Sequence, residues 1–391
     1  MEGDFIKINK WLTPLSWLYG LVVGFRNTLF EMGVLKSRAF TLPVISVGNI
    51  TVGGTGKTPH VEYLIELLQG LSKVAVLSRG YKRKTKGFVM ADFTTTAHDI
   101  GDEPFQMKQK YPKVTVAVDK DRVHGIEELT AREKNIDVVL LDDAFQHRYV
   151  KPGINILLVD YHRLIIYDKL LPAGRLREPL KGKNRADIVI VTKCPKELKP
   201  MEYRVVTKAM DLFPYQQLYF TTLEYGELKA VFDVQTSTLK TSLSTLKSQN
   251  VLLLTGIASP RQMVEDLTPQ VKTLTPLCFP DHHDFSQSDV ERINNTFDAM
   301  PSPKCIVTTE KDAARLICLT TLSKDVKTHI YSLPVHIKFM LDQGGKFNEN
   351  ILGYVRKNSR NSILAKGKDD HKSEDGHRSG DRPRTISFRN N

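Results

Sequence analysis

The sequence predicts an α/β protein built on parallel sheets, and three observations lead to this fold class. Short apolar runs alternate with stretches of helical periodicity, as parallel sheets flanked by helices require. A second series of the same kind begins near residue 185, with strands at 251–255 and 305–308. The chain has 391 residues, 41% of them hydrophobic. A chain of this length usually forms more than one hydrophobic core. We therefore expect a larger domain followed by a smaller one.

The chain opens with a predicted helix over residues 15–35. Its apolar side chains recur at helical spacing, at Leu18, Val22, Phe25, Leu29 and Met32. Two interpretations stay open, a helix packed into the core and an interfacial helix lying on a membrane, with Trp11, Trp17 and Tyr19 near one end. The uncharged stretch from Trp11 to Phe25 covers about fifteen residues. A helix that spans a membrane needs roughly 20.

Strands and helices then alternate. Predicted strands lie at 43–47, 74–78, 114–118, 137–141, 155–159 and 187–192, and predicted helices lie between them at 59–70 and 121–134. From Arg356 onward almost no residue is apolar, so the end of the chain is expected to be disordered. The predicted division is a membrane-associating helix region at 1–40, a larger domain at 41–184, a smaller α/β domain at 185–348 and a disordered basic tail at 349–391.

The run "NITVGGTGKTPH" follows the first predicted strand and precedes a predicted helix. Such a glycine-rich turn lets backbone N–H groups approach a phosphate, with the positive end of the helix dipole behind them. The nucleotide loop is predicted to comprise Thr51, Val52, Gly53, Gly54, Thr55, Gly56, Lys57 and Thr58. Lys57 would reach the β and γ oxygens of a nucleoside triphosphate, and the hydroxyl of Thr58 would bind Mg²⁺. Thr51 replaces the first glycine of the usual motif.

Two acids, Asp142 and Asp143, end the apolar strand at 137–141. Acids in this position hold Mg²⁺ in phosphate-loop proteins, either directly or through water. A GTPase is not expected, because the nearest match to a guanine-recognition motif, Thr192 to Pro195, lacks the aspartate. A motor ATPase and a small-molecule kinase remain.

A phosphotransferase needs a base beside the acceptor hydroxyl, and two acidic stretches offer one. The stretch "HDIGDEP" contains Asp99, Asp102 and Glu103, and "FPDHHDF" places two histidines between Asp281 and Asp284. An imidazole can orient a neighbouring carboxylate as that carboxylate accepts a proton. The sequence alone does not bring the two stretches together.

The formal net charge is +12, and basic residues are concentrated between residues 73 and 86, where no acid occurs. A basic surface indicates nucleic acid, anionic lipid or a phosphorylated substrate as partner. Because no nucleic-acid motif is present, no nucleic-acid partner is expected. The four cysteines form no CxxC pair, which is typical of reduced thiols in a cytosolic protein.

Seven segments occur in the order "VGNITVGGTGKTP", "SRGYKR", "IGDEP", "DDAFQHR", "LPAGRLREP", "FPDHHDF" and "TTEKDAAR". Together they resemble the tetraacyldisaccharide 4'-kinase family, the lipid A 4'-kinases, from about residue 10 to 345. The resemblance implies a P-loop NTPase-type sheet domain with ATP and Mg²⁺ as cofactors. It also implies transfer of the γ-phosphate to the 4'-hydroxyl of a tetraacylated glucosamine disaccharide 1-phosphate, the lipid A precursor. Such a kinase works at the cytoplasmic face of the bacterial inner membrane.

The resemblance assigns roles to individual residues. Asp102 matches the proposed catalytic base, and His282, the first of the two histidines, matches its partner. Lys57 matches the catalytic lysine of the ATP loop, and Asp142 and Asp143 match the acids on the metal side. Further active-site positions are matched by Gln146, His147, Arg177 and Glu178.

The chain departs from the family pattern at Lys82 and Ala144, where the family often has glycine. A lipid substrate would account for the N-terminal helix and the basic cluster together, so an anionic membrane surface is an expected partner. Two competing functions remain, a membrane-associated P-loop ATPase that phosphorylates no lipid and a nucleotide-dependent scaffold at the membrane.

Overall fold

The computed structural model describes residues 8–374 apart from 233–241, 259, 282, 318 and 320, with side chains up to residue 359. Its strands are β1 (Val44–Gly48), β2 (Val74–Ser78), β3 (Val89–Met90), β4 (Thr115–Val118), β5 (Val138–Asp142), β6 (Ile154–Asp160), β7 (Ile188–Thr192), β8 (Gln217–Tyr225), β9 (Lys229–Ala230), β10 (Asn250–Thr255), β11 (Thr273–Cys278), β12 (Lys304–Thr309), β13 (Ile330–Leu333) and β14 (Val335–Phe339). Its α-helices are α1 (Thr13–Glu31), α2 (Lys57–Leu68), α3 (Ala97–Ile100), α4 (Asp102–Lys110), α5 (Arg122–Arg132), α6 (Pro200–Met210), α7 (Arg261–Leu267), α8 (Gln287–Asp298), α9 (Glu310–Leu316), α10 (Lys324–His329) and α11 (Gly344–Glu374).

The larger sheet has the strand order β14-β8-β7-β6-β1-β5-β2-β4-β3. Its neighbouring strands are parallel except for β14 with β8 and β3 with β4. Every residue of β1, β2 and β5 is buried, because helices cover both faces of a parallel sheet. The α/β fold class and the predicted strands of this sheet are therefore confirmed.

The loops that follow β1 and β5 meet at the carboxyl edge of the larger sheet. β1 pairs with β5 on one side and with β6 on the other, so the chain leaves β1 in one direction and later returns to its opposite side. The crevice at such a reversal of strand order is where open parallel sheets bind ligands. The predicted nucleotide loop and the predicted metal-side acids are consequently adjacent.

The sheet order contradicts the predicted boundary between residues 184 and 185. β7 pairs with β6, β8 pairs with β7, and β14 pairs with β8, so all three belong to the larger sheet. The smaller sheet, in the order β11-β10-β12-β13-β9, is an insertion between β8 and β14. An apolar run predicts a strand but does not show which sheet edge that strand will join.

α11 contradicts the predicted disorder from residue 349. Phe347, Ile351 and Val355 are buried against the larger sheet, and α11 continues to Glu374. These side chains are spaced four residues apart and form an apolar stripe on one face of the helix. The overall composition of the segment does not show such a stripe, because most of its other residues are polar. Residues 375–391 of the predicted tail lie outside the described residues.

α1 leaves most of its apolar face uncovered. Trp17, Leu21 and Phe25 are 72%, 71% and 68% exposed, whereas Ser16 and Phe30 are the buried residues of the helix. The alternative of a core-packed helix is therefore contradicted, because a core helix buries its apolar stripe. In the described part of the chain, no helix is both long enough and apolar enough to cross a membrane.

The packing of α11 predicts the effect of one truncation. Ile351→Ala should lower the free energy of unfolding by about 2–5 kcal/mol, because it opens a cavity in the core. Urea denaturation measures the change. Arg356→Ala, at an exposed position of the same helix, is the control and should stay within about 0.5 kcal/mol of the unsubstituted protein. Equal, negligible effects would mean that this segment is a solvated tail.

Candidate active site

The loop between β1 and α2 has the backbone of a phosphate cradle. Gly53 and Gly56 have φ angles of 120° and 79°, in the left-handed region that residues with a side chain rarely adopt. α2 begins at Lys57, directly after this turn, so its free N–H groups and its positive dipole end face the loop. The arrangement suits an anion.

Side chains and carbonyls from other segments hold this loop in place. The amide of Asn49 donates a hydrogen bond to the hydroxyl of Thr55 at 2.8 Å, and the hydroxyl of Thr192 donates to the Thr55 carbonyl at 3.0 Å. The ammonium of Lys193 donates to the Gly54 carbonyl. In the sequence alone, the Thr192-Lys193 pair resembles only an incomplete guanine-recognition motif. Its position at the end of β7, on the edge that carries the loop, was the signal for this supporting role.

Thr51, the departure from the usual first glycine, is buried and pairs with Leu176 in an antiparallel bridge. The N–H of Val52 donates to the carbonyl of Arg175 at 2.8 Å. This part of the loop therefore runs as a short extended pair beside the "LPAGRLREP" segment. An extended residue needs no glycine, which explains why threonine is tolerated.

Asp143 lies between two cations. Its Oδ1 is 3.5 Å from Lys57 Nζ, and its Oδ2 is 3.6 Å from Arg177 Nη1. Burial acts to raise the pKa of Asp143, but the charges of Lys57 and Arg177 hold that pKa below its ordinary value. The carboxylate is therefore ionised and oriented toward the nucleotide loop.

Asp142 is buried and has one carboxylate oxygen without a protein donor. Ser78 Oγ donates to Asp142 Oδ2 at 3.1 Å, whereas Oδ1 has no hydrogen-bond partner in the described structure. Burial, with the charges of Glu103 and Asp143, raises the pKa of Asp142 to about 7. A buried acid with an unsatisfied oxygen and a raised pKa is suited to a divalent cation, which would supply the missing positive charge.

The residues that could bind a cation are fewer than in a dedicated metal site. Within the described ranges, no group of three or more His, Cys, Asp and Glu side chains could hold a metal by itself. Mg²⁺ that accompanies a nucleotide takes one or two carboxylates and fills its remaining positions with phosphate oxygens and water. Asp142, Asp143 and Thr58, which follows Lys57 in the first turn of α2, fit that smaller donor set.

Arg122 is a site residue that the sequence analysis missed. It is 2% exposed at the start of α5, and its guanidinium donates to the carbonyls of Asp119, at 3.1 Å, and of Asp142, at 3.4 Å. Burial lowers its pKa to about 10, so it stays charged beside the acid pair. The charged run "DKDR" directly after β4, at the same sheet edge, was the available signal.

The four predicted supporting residues fall into two groups. Gln146 accepts a hydrogen bond from Arg177 at 3.4 Å and has a buried amide nitrogen without a partner in the described structure. His147 also has an unpartnered buried nitrogen, and burial followed by the charge of Arg122 lowers its pKa. Glu178 differs, because it is 3% exposed and accepts from Arg185 at 2.9 Å. Its ion pair with Arg185 stabilises the segment.

An open cleft of about 680 Å³ lies beside His147. It also includes Lys36 and Arg38, which follow α1, and Tyr149. Cavities of roughly 300–1,000 Å³ hold small-molecule ligands. The cleft therefore offers an acceptor one approach to the carboxyl edge, from the side of α1.

Hydrogen bonds connect α1 to the "LPAGRLREP" segment. The hydroxyl of Tyr19 donates to the carbonyl of Arg177 at 2.7 Å. Ser16 donates to the carbonyl of Leu170 at 3.0 Å and accepts from the N–H of Ala173 at 2.9 Å. The helix with the exposed apolar face is therefore attached to the segment that positions Arg177.

Asp102 begins α4 and contacts the inserted domain. Its Oδ2 accepts a hydrogen bond from Arg315 Nη2 at 2.5 Å. Gly101 before it has a φ of 91°, and a Cβ atom there would lie 2.9 Å from the Tyr81 carbonyl, so glycine is required. His282, its predicted partner, lies outside the described residues, and the pairing stays a prediction.

The two acidic stretches do meet in the structure, through Lys311. Its ammonium is 3.1 Å from Glu103 Oε1 and 3.1 Å from Asp281 Oδ1, so "IGDEP" and "FPDHHDF" share one cation. His283 is occupied elsewhere, at 2.9 Å from Asp289 in the first turn of α8. Asp99 accepts from Thr96 in the capping box of α3, which is a structural task.

The two departures from the family pattern have different consequences. Lys82 has a φ of 59°, so a side chain occupies a left-handed position where glycine would be relaxed. Ala144 is buried after β5, and its N–H donates to the Val47 carbonyl at 3.3 Å. It does not need a positive φ.

The chain matches a known protein family over most of its length. The family model for tetraacyldisaccharide-1-P 4'-kinase, LpxK, matches residues 8–356. A tetraacyldisaccharide 4'-kinase of Phocaeicola vulgatus is 59% identical over 365 residues, which cover 93% of this chain and 99% of the relative. One from Bacteroides thetaiotaomicron is 53% identical over 380 residues, covering 95% and 100%.

A solved structure gives the same result. The crystal structure of "apo" form LpxK from Aquifex aeolicus in complex with ATP matches with a TM-score of 0.66 and 31% sequence identity. The match covers 88% of this chain and 98% of the solved chain. The likeness thus extends over both sheets.

The link between α1 and the active-site segment can be measured. Tyr19→Phe removes the donor to the Arg177 carbonyl and should lower the free energy of unfolding in urea by about 0.5–1.5 kcal/mol. Trp17→Phe, at an exposed position of the same helix, is the control and should change it by less than about 0.5 kcal/mol. If both variants were equally stable, the hydroxyl would not be anchoring the segment.

Proposed function

The chain belongs to the tetraacyldisaccharide-1-P 4'-kinase family, and from this membership we propose its reaction. It transfers the γ-phosphate of ATP to the 4'-hydroxyl of a tetraacylated glucosamine disaccharide 1-phosphate, a lipid A precursor. The observation that supports this most is the carboxyl edge of the larger sheet. There a phosphate cradle meets the acids Asp142 and Asp143, and Glu103, the residue after the candidate base Asp102, contributes to the raised pKa of Asp142.

ATP binds with its phosphates in the loop from Thr51 to Thr58. Backbone N–H groups of the loop and of the first turn of α2 donate to the phosphate oxygens. Lys57 neutralises charge that builds on the γ-phosphate toward the transition state. Asp143, 3.5 Å from Lys57 Nζ, keeps that ammonium at the mouth of the loop.

Thr58, Asp142 and Asp143 would hold Mg²⁺, and Oδ1 of Asp142, which has no hydrogen-bond partner in the described part of the chain, supports this assignment. When bound, the ion neutralises charge on the β and γ phosphates and helps to align them for transfer. Arg122 and Arg177 each place a guanidinium beside the acid pair. Their positive charges offset the repulsion between the two carboxylates. Gln146 and His147 have buried nitrogens without a hydrogen-bond partner among the described residues, so they are available to the transferred phosphate or to the sugar.

Asp102 takes the proton from the 4'-hydroxyl as the new oxygen–phosphorus bond forms and the bond to ADP breaks. His282 is its proposed partner and would stabilise the carboxylate in the required orientation. Glu103 and Asp281, joined by Lys311, keep the two stretches at the same place. Phosphoryl transfer needs little covalent help from the protein, so the contribution of Asp102 lies in positioning and proton removal.

The lipid reaches this edge from the membrane on which α1 rests. The exposed Trp17, Leu21 and Phe25 enter the interface, and basic residues such as Lys36 face anionic headgroups. The sugar would then enter the cleft beside His147. The proposed location is the cytoplasmic face of the bacterial inner membrane, where ATP and the lipid precursor meet.

Transfer to lipid is tested with γ-labelled ATP and the tetraacyldisaccharide 1-phosphate. We expect label in an organic-soluble product, and Lys57→Ala should lower that signal on the order of 10²–10³-fold while the circular dichroism spectrum is unchanged. Label that appears only as free phosphate would favour the membrane-associated ATPase. Full activity of the Lys57→Ala enzyme would remove the loop from the mechanism.

Membrane binding is tested by sedimentation with anionic vesicles. Phe25→Glu and Thr28→Glu both place one negative charge at an exposed position of α1. Only Phe25→Glu removes an apolar side chain, whose burial contributes about 1.5–3 kcal/mol. It should therefore weaken binding roughly ten-fold or more relative to Thr28→Glu. Equal binding by the two variants would contradict an α1 that rests in the interface.

A further inference from the structure

α9 of the inserted domain meets α4 of the larger domain through three ion pairs. The pairs are Glu310 with Lys110 at 2.9 Å, Lys311 with Glu103 at 3.1 Å, and Arg315 with Asp102 at 2.5 Å. Glu310 and Lys110 have no assigned part in the reaction, and Lys311 with Glu103 helps to hold the two acidic stretches together. The third joins Arg315 to the carboxylate that we assign as the base. This pair can therefore affect the reaction as well as hold α9 against α4.

Arg315 is fixed from behind by a buried acid. Asp312 is fully buried, and its Oδ1 accepts from Arg315 Nη1 at 3.1 Å. Its Oδ2 accepts from the N–H of Gly256 at 2.9 Å and from the hydroxyl of Thr309 at 2.7 Å. The guanidinium is therefore tied to the backbone at the end of β10 and to the start of α9.

Arg315 itself is 9% exposed and uses different nitrogens for its two carboxylates. Nη1 serves Asp312 and Nη2 serves Asp102. A guanidinium is a planar, rigid fork, so holding one side of it sets the direction of the other. The position of Asp102 Oδ2 therefore depends, through Arg315, on the position of β10.

We propose that Arg315 is a positioning residue for Asp102, set by Asp312, so that the inserted domain aligns the base of the larger domain. The inference rests on the proposed kinase reaction and on Asp102 as its base. By fixing Oδ2, Arg315 restricts rotation of the Asp102 carboxylate. The base is aligned only while α9 is docked on α4. Arg315 therefore makes the inserted domain part of the active site.

The test is a double-mutant cycle on the full-length chain, with ATP and the tetraacyldisaccharide 1-phosphate. Arg315→Gln should lower kcat on the order of 10–100-fold, because a small displacement of a catalytic group costs up to about 10²-fold. The KM for ATP should change little, and Arg315→Lys should recover part of the loss. In an Asp102→Asn background, Arg315→Gln should cost almost nothing more, because residues that act as a unit are not additive.

Glu310→Gln is the matched control. It removes one of the three ion pairs between the same two helices, while Lys110 keeps Glu62 at 2.7 Å. Its kcat should stay within about two-fold of the unsubstituted protein. A loss equal to that of Arg315→Gln would reduce Arg315 to a docking contact and overturn the inference.

Other outcomes also decide the question. Multiplicative losses in the cycle, or a raised KM for ATP with kcat unchanged, would overturn the inference. An Asp102→Asn enzyme with normal kcat would do so as well, because no base would remain to be positioned. If Arg315→Gln does not fold, the same double-mutant cycle is measured with Arg315→Lys, alone and combined with Asp102→Asn. Failure of the proposed function is distinct: the unsubstituted protein would then label no lipid, which overturns both.

Discussion

Asp143 sits between Lys57 of the nucleotide loop and Arg177 of the "LPAGRLREP" segment, and the rest of the site is arranged around this shared carboxylate. Charges in a partly buried position must be paired, so the loop, the end of β5 and the segment before β7 have to assemble together. Asp143 itself has a φ of 47°, a conformation that persists where the surrounding contacts determine it. The two cations lower the pKa of Asp143, whereas burial raises the pKa of the neighbouring Asp142 to about 7.

Two more distant parts of the fold are connected to this centre by hydrogen bonds. α1 reaches it through the hydrogen bond from Tyr19 to the Arg177 carbonyl. The helix with the exposed apolar face is therefore attached to the segment that carries Arg177. The inserted domain reaches the same edge of the sheet through Arg315 and Asp102, the residue before Glu103, whose charge acts on Asp142. A surface helix and a second domain can thus both influence geometry at the sheet edge, although neither supplies the phosphate loop.

Several expectations were wrong because a local sequence pattern does not show how distant segments pack against one another. β7 and β8 have the same apolar character as strands of the inserted domain, yet they extend the larger sheet. The stripe formed by Phe347, Ile351 and Val355 is short, and the strongly polar sequence after it masked its signal. Arg122 and Arg315 looked like ordinary charged helix residues, because burial beside an acid is decided by packing.

The sequence by itself determined the α/β class, the strands of the larger sheet, the nucleotide loop and the acids that follow β5. These follow from local rules: apolar runs make buried strands, glycines permit positive φ, and a helix N-terminus attracts phosphate. The seven segments in order also identified the family. Only the tertiary structure decided that Asp102 meets Arg315 and that the smaller sheet is an insertion. It also decided that α1 is exposed and attached to the Arg177 segment. Those contacts join residues more than a hundred positions apart, and their formation depends on the packing of the whole chain.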